Sequence, residues 1–325
     1  MPSPNRSRRA FCALAAAALP SSGQAQRQSF PSRPVRMIVP FSAGALIDTL
    51  ARLYGERMSQ ALGQPFIVEN RPGANGVPAT QALLALPPDG HQMLFISSAH
   101  SVSPLIQKNL PYDTLRDFSG LALLANSPAL IVVNADHPAK HLRQLIDMAQ
   151  RKPEALAFGS AGIASATHLA GEYFSQEADV RFLHVPFKGV QEAVTEVLAG
   201  RLDVAFPPIA LAAPHLRSGK LRALAVTSPE RVALIADVPT VAESGIAGFD
   251  YSITYGVVMS SKTPPEHLEL FARQFLAVGR MPEIRQQLLG QGLVPRDLVL
   301  ADFDAYIARE TEKLGRIVRA GAIKV

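Results

Sequence analysis

Short apolar runs alternate with stretches in which apolar residues recur every three to four positions, and this alternation fills the chain from residue 35 onward. Val35–Phe41 reads as a strand. Asp48–Leu62 then reads as a helix, with Leu50, Tyr54, Met58, Ala61 and Leu62 on one face and Gly63 as its stop. Phe66–Val68 is a second strand. An Asn-Arg-Pro-Gly turn at 70–73 leads to a helix over Val77–Leu86, and Pro87-Pro88-Asp89-Gly90 breaks it before a strand at Met93–Ser97. This βαβαβ order predicts a parallel sheet.

After a loop that includes Ser127-Pro128, the pattern restarts. Strands are predicted at Ala129–Val133, Leu156–Gly159, Phe182–Val185, Val204–Phe206 and Leu221–Val226. Helices are predicted at Lys140–Arg151, from about Ser165, at Val190–Ala199 and at Ile209–Ser218. Tyr251–Met259 is a further strand candidate, and three helical segments follow it. No solenoid repeat and no low-complexity linker interrupts the chain. Two α/β lobes without a flexible linker imply more than one crossing between them. The expected division is 28–126 plus 237–325 for lobe 1 and 127–236 for lobe 2, with Tyr251–Met259 returning to lobe 1.

The first 25 residues break the pattern. Arg6, Arg8 and Arg9 precede the short apolar run Ala10–Pro20, and Ser21–Ala25 ends small-x-small before Gln26. This predicts a signal peptide cleaved near Ala25 and an exported, periplasmic product. Ser7-Arg8-Arg9-Ala10-Phe11 is similar to a twin-arginine export signal and equally fits the ordinary secretory route. The single cysteine, Cys12, lies inside the segment, so the mature chain is expected to lack thiol catalysis and cysteine-based metal sites. Three of the 32 basic and none of the 27 acidic residues lie there, which leaves the remainder a net charge of +2. No basic run and no aromatic-basic stripe points to nucleic acid.

In such sheets ligands bind where strands end and helices begin. Two loops fit: Pro40–Asp48 after the first strand, and Gly159–His168 in the second lobe. Their small residues let a ligand approach backbone N–H groups, and a helix N-terminus favours an anion. Each loop also fits an ordinary capped turn. There is no G-x-S-x-G elbow, H-E-x-x-H motif, P-loop or dinucleotide fingerprint. His168 fits either a ligand contact or a structural role. No enzyme, metal or cofactor is expected.

The strings Val68-Glu69-Asn70-Arg71-Pro72-Gly73-Ala74, Pro88-Asp89-Gly90, His184-Val185-Pro186-Phe187-Lys188-Gly189 and Asp237-Val238-Pro239-Thr240 resemble the Bug-type extracytoplasmic solute receptors of tripartite tricarboxylate transporters. The resemblance implies a type II, two-lobed Venus flytrap, each lobe a mainly parallel sheet flanked by helices. It also implies a small carboxylate in the cleft, membrane permease subunits as partners, and a monomer. The alternative role is a co-sensor presenting the loaded form to a sensor kinase. Contacts are then expected from Phe41, Gly44, Ala45, Asp48 and Ser98 on one side. Ser160, Ala161, Ala164, Ser165, Thr167, His168, Phe187 and Pro207 would provide the other. The first loop departs from the family's usual Pro-Gly-Gly pattern at Ala43, Ala45 and Ile47. Phe206-Pro207-Pro208 stands where Asp-Asn is usual, and Phe187 where tyrosine is. These changes imply a cleft with fewer polar anchors.

Overall fold

The computed structural model describes residues 30–320 apart from Lys108, so the expected signal peptide lies outside the described residues. The first sheet contains β1 (Val35–Val39), β2 (Phe66–Asn70), β3 (Gln92–Ser97) and β4 (Phe118–Pro128). The second contains β5 (Leu130–Asn134), β6 (Ala157–Ser160), β7 (Leu183–Pro186), β8 (Val204–Ala205) and β9 (Leu221–Val226). The chain then re-enters the first sheet through β10 (Ser252–Ser260) and β11 (Val294–Pro295). The orders are β11-β4-β10-β3-β1-β2 and β7-β6-β8-β5-β9.

Both sheets are mixed. β1 pairs in parallel with β2 and β3, and β6 with β7 and β8, as their intervening helices require. β10 runs antiparallel to β3 and β4, and β5 antiparallel to β8 and β9, because these strands bring the chain across from the other sheet.

Helices cover both faces of each sheet, so β3 is apolar from Met93 to Ile96: Met93 and Phe95 face one core, Leu94 and Ile96 the other. On the first sheet, α1 (Leu46–Leu62) covers one face and α2 (Val77–Leu84) the other. A short α3 (Ala99–Ile106) follows β3. Around the second sheet, α4 (Leu142–Arg151) and α5 (Ala166–Glu177) pack on one face, and α6 (Val190–Leu198) and α7 (Ile209–Arg217) on the other. α8 (Pro265–Gly279) and α9 (Pro282–Gly290) join α1 on the first sheet. α10 (Leu300–Ala320) spans both lobes, with Phe303 and Ile307 in a first-sheet core and Leu314 and Ile317 in a second-sheet core.

Besides α3 and β11, which the sequence reading did not contain, two stretches differ from it. The stretch read as a loop before Ala129 is β4, whose ends carry turn residues and whose centre, Leu121–Ala125, suits either a strand or a buried helix. The stretch from Pro239 to Tyr251, expected with lobe 1, packs on the second sheet. Thr240 bridges to Val226, while Val241, Phe249 and Tyr251 close the core around Phe158 and Phe174.

β4 passes directly into β5 through Ala129, and the return strand starts after Tyr251. Thr227, fully buried, joins the two crossings. Its N–H donates to the Ala129 carbonyl (3.0 Å), and its carbonyl accepts from the Tyr251 N–H (2.9 Å). Its hydroxyl accepts from the Ala129 N–H (2.8 Å) and lies 2.8 Å from the Tyr251 carbonyl. Thr227→Val keeps the shape and leaves the Ala129 N–H without that partner in a dry core. The expected cost is about 1–3 kcal/mol, read as a lower urea midpoint at unchanged slope; an unchanged midpoint would remove the hydroxyl from the account of the crossing.

Candidate functional site

A cavity of about 270 Å³ lies where α1, α3 and α5 begin. The first lobe contributes Phe41, Ala45, Leu46 and Ile47 from the loop into α1, together with Ser97, Ser98 and Ala99 at the start of α3. The second contributes Ala164, Ser165 and Ala166 at the start of α5. Val102, Leu169, Ile253 and Tyr255 supply apolar surface, and Asn75 also lines the cavity. None of the lining residues is charged.

The loop into α1 is held by its own acid. The Asp48 carboxylate, 2% exposed, accepts from the Gly44 N–H (2.9 Å), the Asn70 amide (2.9 Å) and the Arg52 guanidinium (3.0 Å to each oxygen). Burial alone would push this carboxyl up. The bonds from Arg52, Gly44 and Asn70 outweigh it and hold the group below the ordinary carboxylate range. Asn70 also donates to the Phe41 carbonyl (3.0 Å), fixing the other end of the loop. Gly44 sits at φ +84°, a left-handed conformation that suits glycine.

In the second loop the polar side chains also turn inward. The Ala161 N–H donates to the Thr167 hydroxyl (2.9 Å), and Ser165 caps α5 by accepting from the His168 N–H (3.2 Å). The Ser160 hydroxyl, fully buried, lies 2.7 Å from His184 Nε2. The His168 Nδ1 accepts from the Ala164 N–H (3.0 Å), which places the ring proton on Nε2, 3.4 Å from Glu172. That bond holds Ala164 at φ +59°, an unusual angle for a residue with a Cβ. The His168 and His184 rings stack with centroids 3.8 Å apart, and burial, followed by the neighbouring His168, pushes His184 down to about 4. The Tyr251 hydroxyl donates to the Ala166 carbonyl (2.6 Å), tying the first turn of α5 to the interlobe crossing.

The backbone N–H groups of Leu46 and Ile47 on α1, and of Ala166 and Thr167 on α5, have no acceptor among the described residues. They are the uncapped donors that begin any helix. Of the residues expected at a ligand, the structure brings Phe41, Ala45, Ser98, Ala164 and Ser165 to this cavity. Gly44, Asp48, Ser160, Ala161, Thr167 and His168 are not on its surface; they shape the two loops from behind. Phe187 and Pro207 do not reach it either. The Phe187 N–H is bonded to the Ser160 carbonyl (3.0 Å), and the buried Pro207 accepts from the Leu130 N–H (2.8 Å). Val102, Leu169, Ile253 and Tyr255 escaped the sequence reading because an apolar residue facing a cleft looks like one facing a core.

Among the described residues no helix is long and apolar enough to cross a membrane, and no group of three or more His, Cys, Asp or Glu is placed to hold a metal ion. The family described as "Tripartite tricarboxylate transporter family receptor" matches residues 50–323. A UPF0065 protein from the tcbD-tcbE intergenic region of Pseudomonas sp. (strain P51) is 34% identical over 288 residues, covering 88% of this chain and 86% of the relative. BugT of Bordetella pertussis is 30% identical over 317 residues, covering 97% and 96%. Among solved structures, R. palustris Rpa4515 with adipate superposes with a TM-score of 0.78 at 27% identity, over 91% of this chain and 99% of that one. MatC from Rhodopseudomonas palustris with bound malate gives 0.70 at 27%, over 89% and 100%. The fold and family are those of periplasmic solute-binding receptors rather than enzymes, and the chain belongs to the tripartite tricarboxylate transporter receptor family, with Bug proteins among its relatives.

Proposed function

We propose that this protein is exported to the periplasm, captures a small organic acid in the cavity between its lobes and presents it to membrane permease subunits of a tripartite transporter. The observation that carries the reading is the meeting of three helix N-termini at one uncharged cavity, with the donors of α1 and α5 uncommitted. Helix termini contribute roughly 0.3–2 kcal/mol each toward an anion, and hydrogen bonds to a charged group about 1.5–3 each. A few of them reach the ~8 kcal/mol of a micromolar ligand when lobe closure costs little. The relatives solved with adipate and malate support a carboxylate as the ligand.

The reading is tested by thermal melts of the purified protein against a panel of mono-, di- and tricarboxylates. A true ligand at a hundred times its Kd stabilises by about 2.7 kcal/mol. A panel in which no acid raises the melting temperature rules the reading out.

Because backbone amides, and no lining cation, are the proposed anchors, Lys188→Met is expected to leave affinity within about twofold. Gly44→Val is expected to lower it at least tenfold. A Cβ at Gly44 meets nothing within 4 Å, so the penalty comes from the left-handed backbone and the loop it forces to shift. Calorimetry on both variants checks this, and loss of binding in the lysine variant alone would assign the anion to a point charge.

Asp48 ties the stability of the first loop to pH. Its carboxyl is held below the ordinary range, so its contribution to stability is complete above that range and is lost as pH falls through the lowered folded-state value. Asp48→Asn is expected to cost about 1–3 kcal/mol at neutral pH. The difference from the parent chain should shrink on acidification, as followed by urea melts from pH 7 to pH 3. A gap that does not change with pH would contradict the assignment.

A further inference from the structure

The composition of the cavity goes further than its shape. It has no lysine, arginine or histidine to neutralise an anion and no aspartate or glutamate to receive an ammonium. The buried Asp48, next in sequence to the lining residue Ile47, is matched by Arg52 on α1. What remains positive is the starts of α1, α3 and α5, each equivalent to roughly half a charge. Together they balance one carboxylate and fall short of two. Uncommitted N–H groups of Leu46, Ile47 and Ala166 stand on the cavity wall, and the lone pairs of a single carboxylate can accept from all three. The hydroxyl of Ser165 stands at the start of α5 and that of Ser98 at the start of α3.

Beyond the helix starts Asn75 supplies an uncharged amide, and the rest of the wall is mostly apolar. Val102 and Leu169 lie one turn further along α3 and α5, at 3% and 1% exposure, and Ile253 projects from β10. Tyr255 adds a ring whose phenol is pushed up to about 12 by burial and so stays neutral. At about 30 Å³ per water-sized unit, the cavity holds on the order of ten non-hydrogen atoms.

Resting on the receptor reading above, we infer that the ligand is a monocarboxylate with an apolar or aromatic body, its carboxylate at the starts of α1 and α5 and its body against Val102, Leu169 and Ile253. A compact diacid places its second carboxylate on that wall, and an amino acid places an ammonium there. Each leaves a charge without a partner, at a cost of roughly five- to a hundredfold in affinity. The preference thus differs from the diacids seen in the relatives solved with adipate and malate.

Calorimetry on the purified protein decides it, with benzoate, 3-phenylpropanoate and hexanoate against succinate, malate, adipate, citrate and glutamate. The expected result is at least tenfold tighter binding of the best monoacid than of any polyacid or of glutamate. Tighter binding of a diacid, a triacid or glutamate overturns the inference and leaves the receptor reading standing, whereas no binding by any acid overturns both. Ile253→Thr keeps a β-branched residue in the strand and puts a hydroxyl on the wall. It is expected to weaken the best monoacid at least fivefold while the unloaded melting temperature moves by no more than a few degrees. An unchanged monoacid affinity in this variant removes Ile253 from the wall and overturns the assignment of the body.

Discussion

A chain that builds two sheets and passes between them more than once must bury extended backbone at the crossings, where neither sheet's ladder is available to every N–H and carbonyl. The Thr227 clasp meets that constraint. One residue at the end of β9 joins the outgoing crossing at Ala129 to the returning one at Tyr251 through its backbone and its hydroxyl. Tyr251 then reaches the first turn of α5 through its own hydroxyl, and Ser98 at the start of α3 accepts from the Thr254 N–H in β10 (2.8 Å). The starts of α3 and α5, two of the three that edge the cavity, are therefore attached to the crossing itself.

The two loops that flank the cavity solve the same local problem with different residues. A loop able to aim bare N–H groups at a ligand has to be rigid without using those groups for its own support. In the first lobe Asp48, Arg52 and Asn70 hold the loop from behind; in the second, Thr167, Ser165 and His168 do so, over a stack of His168, His184 and Phe158. The result is a site with few polar side chains on its surface and many beneath it. On the proposed reading, an anion would be held by preorganised backbone, which needs little reordering on binding.

Much of this was legible in the residue order. The period-2 and period-3.6 runs located nearly every helix and strand to within a few residues, and the small-residue loops after β1 and β6 marked where helix starts would be open to a ligand. β4 was not legible. Its core, Leu-Ala-Leu-Leu-Ala, carries no period, and only pairing with β10 on one side and β11 on the other makes it a strand. The start of α3 was missed for a related reason: Ser-Ser-Ala-His-Ser carries no apolar stripe, and the helix is held by its contacts with the first sheet and α10.

The sequence by itself determined the α/β class, the two-lobed plan, the family and the two loops, because each follows from local periodicity, turn chemistry or short motifs that a neighbour in space does not alter. Which side chains of those loops face the cavity was decided only by tertiary structure. Asp48, Thr167 and His168 have the chemistry of ligand contacts, yet each found a closer partner inside its own loop. Val102, Leu169 and Ile253 have the chemistry of a core, yet each borders an open space. A side chain's type sets what it can bond to, but which partner lies within 3 Å depends on how distant segments are brought together, and in this protein the interlobe crossing does that.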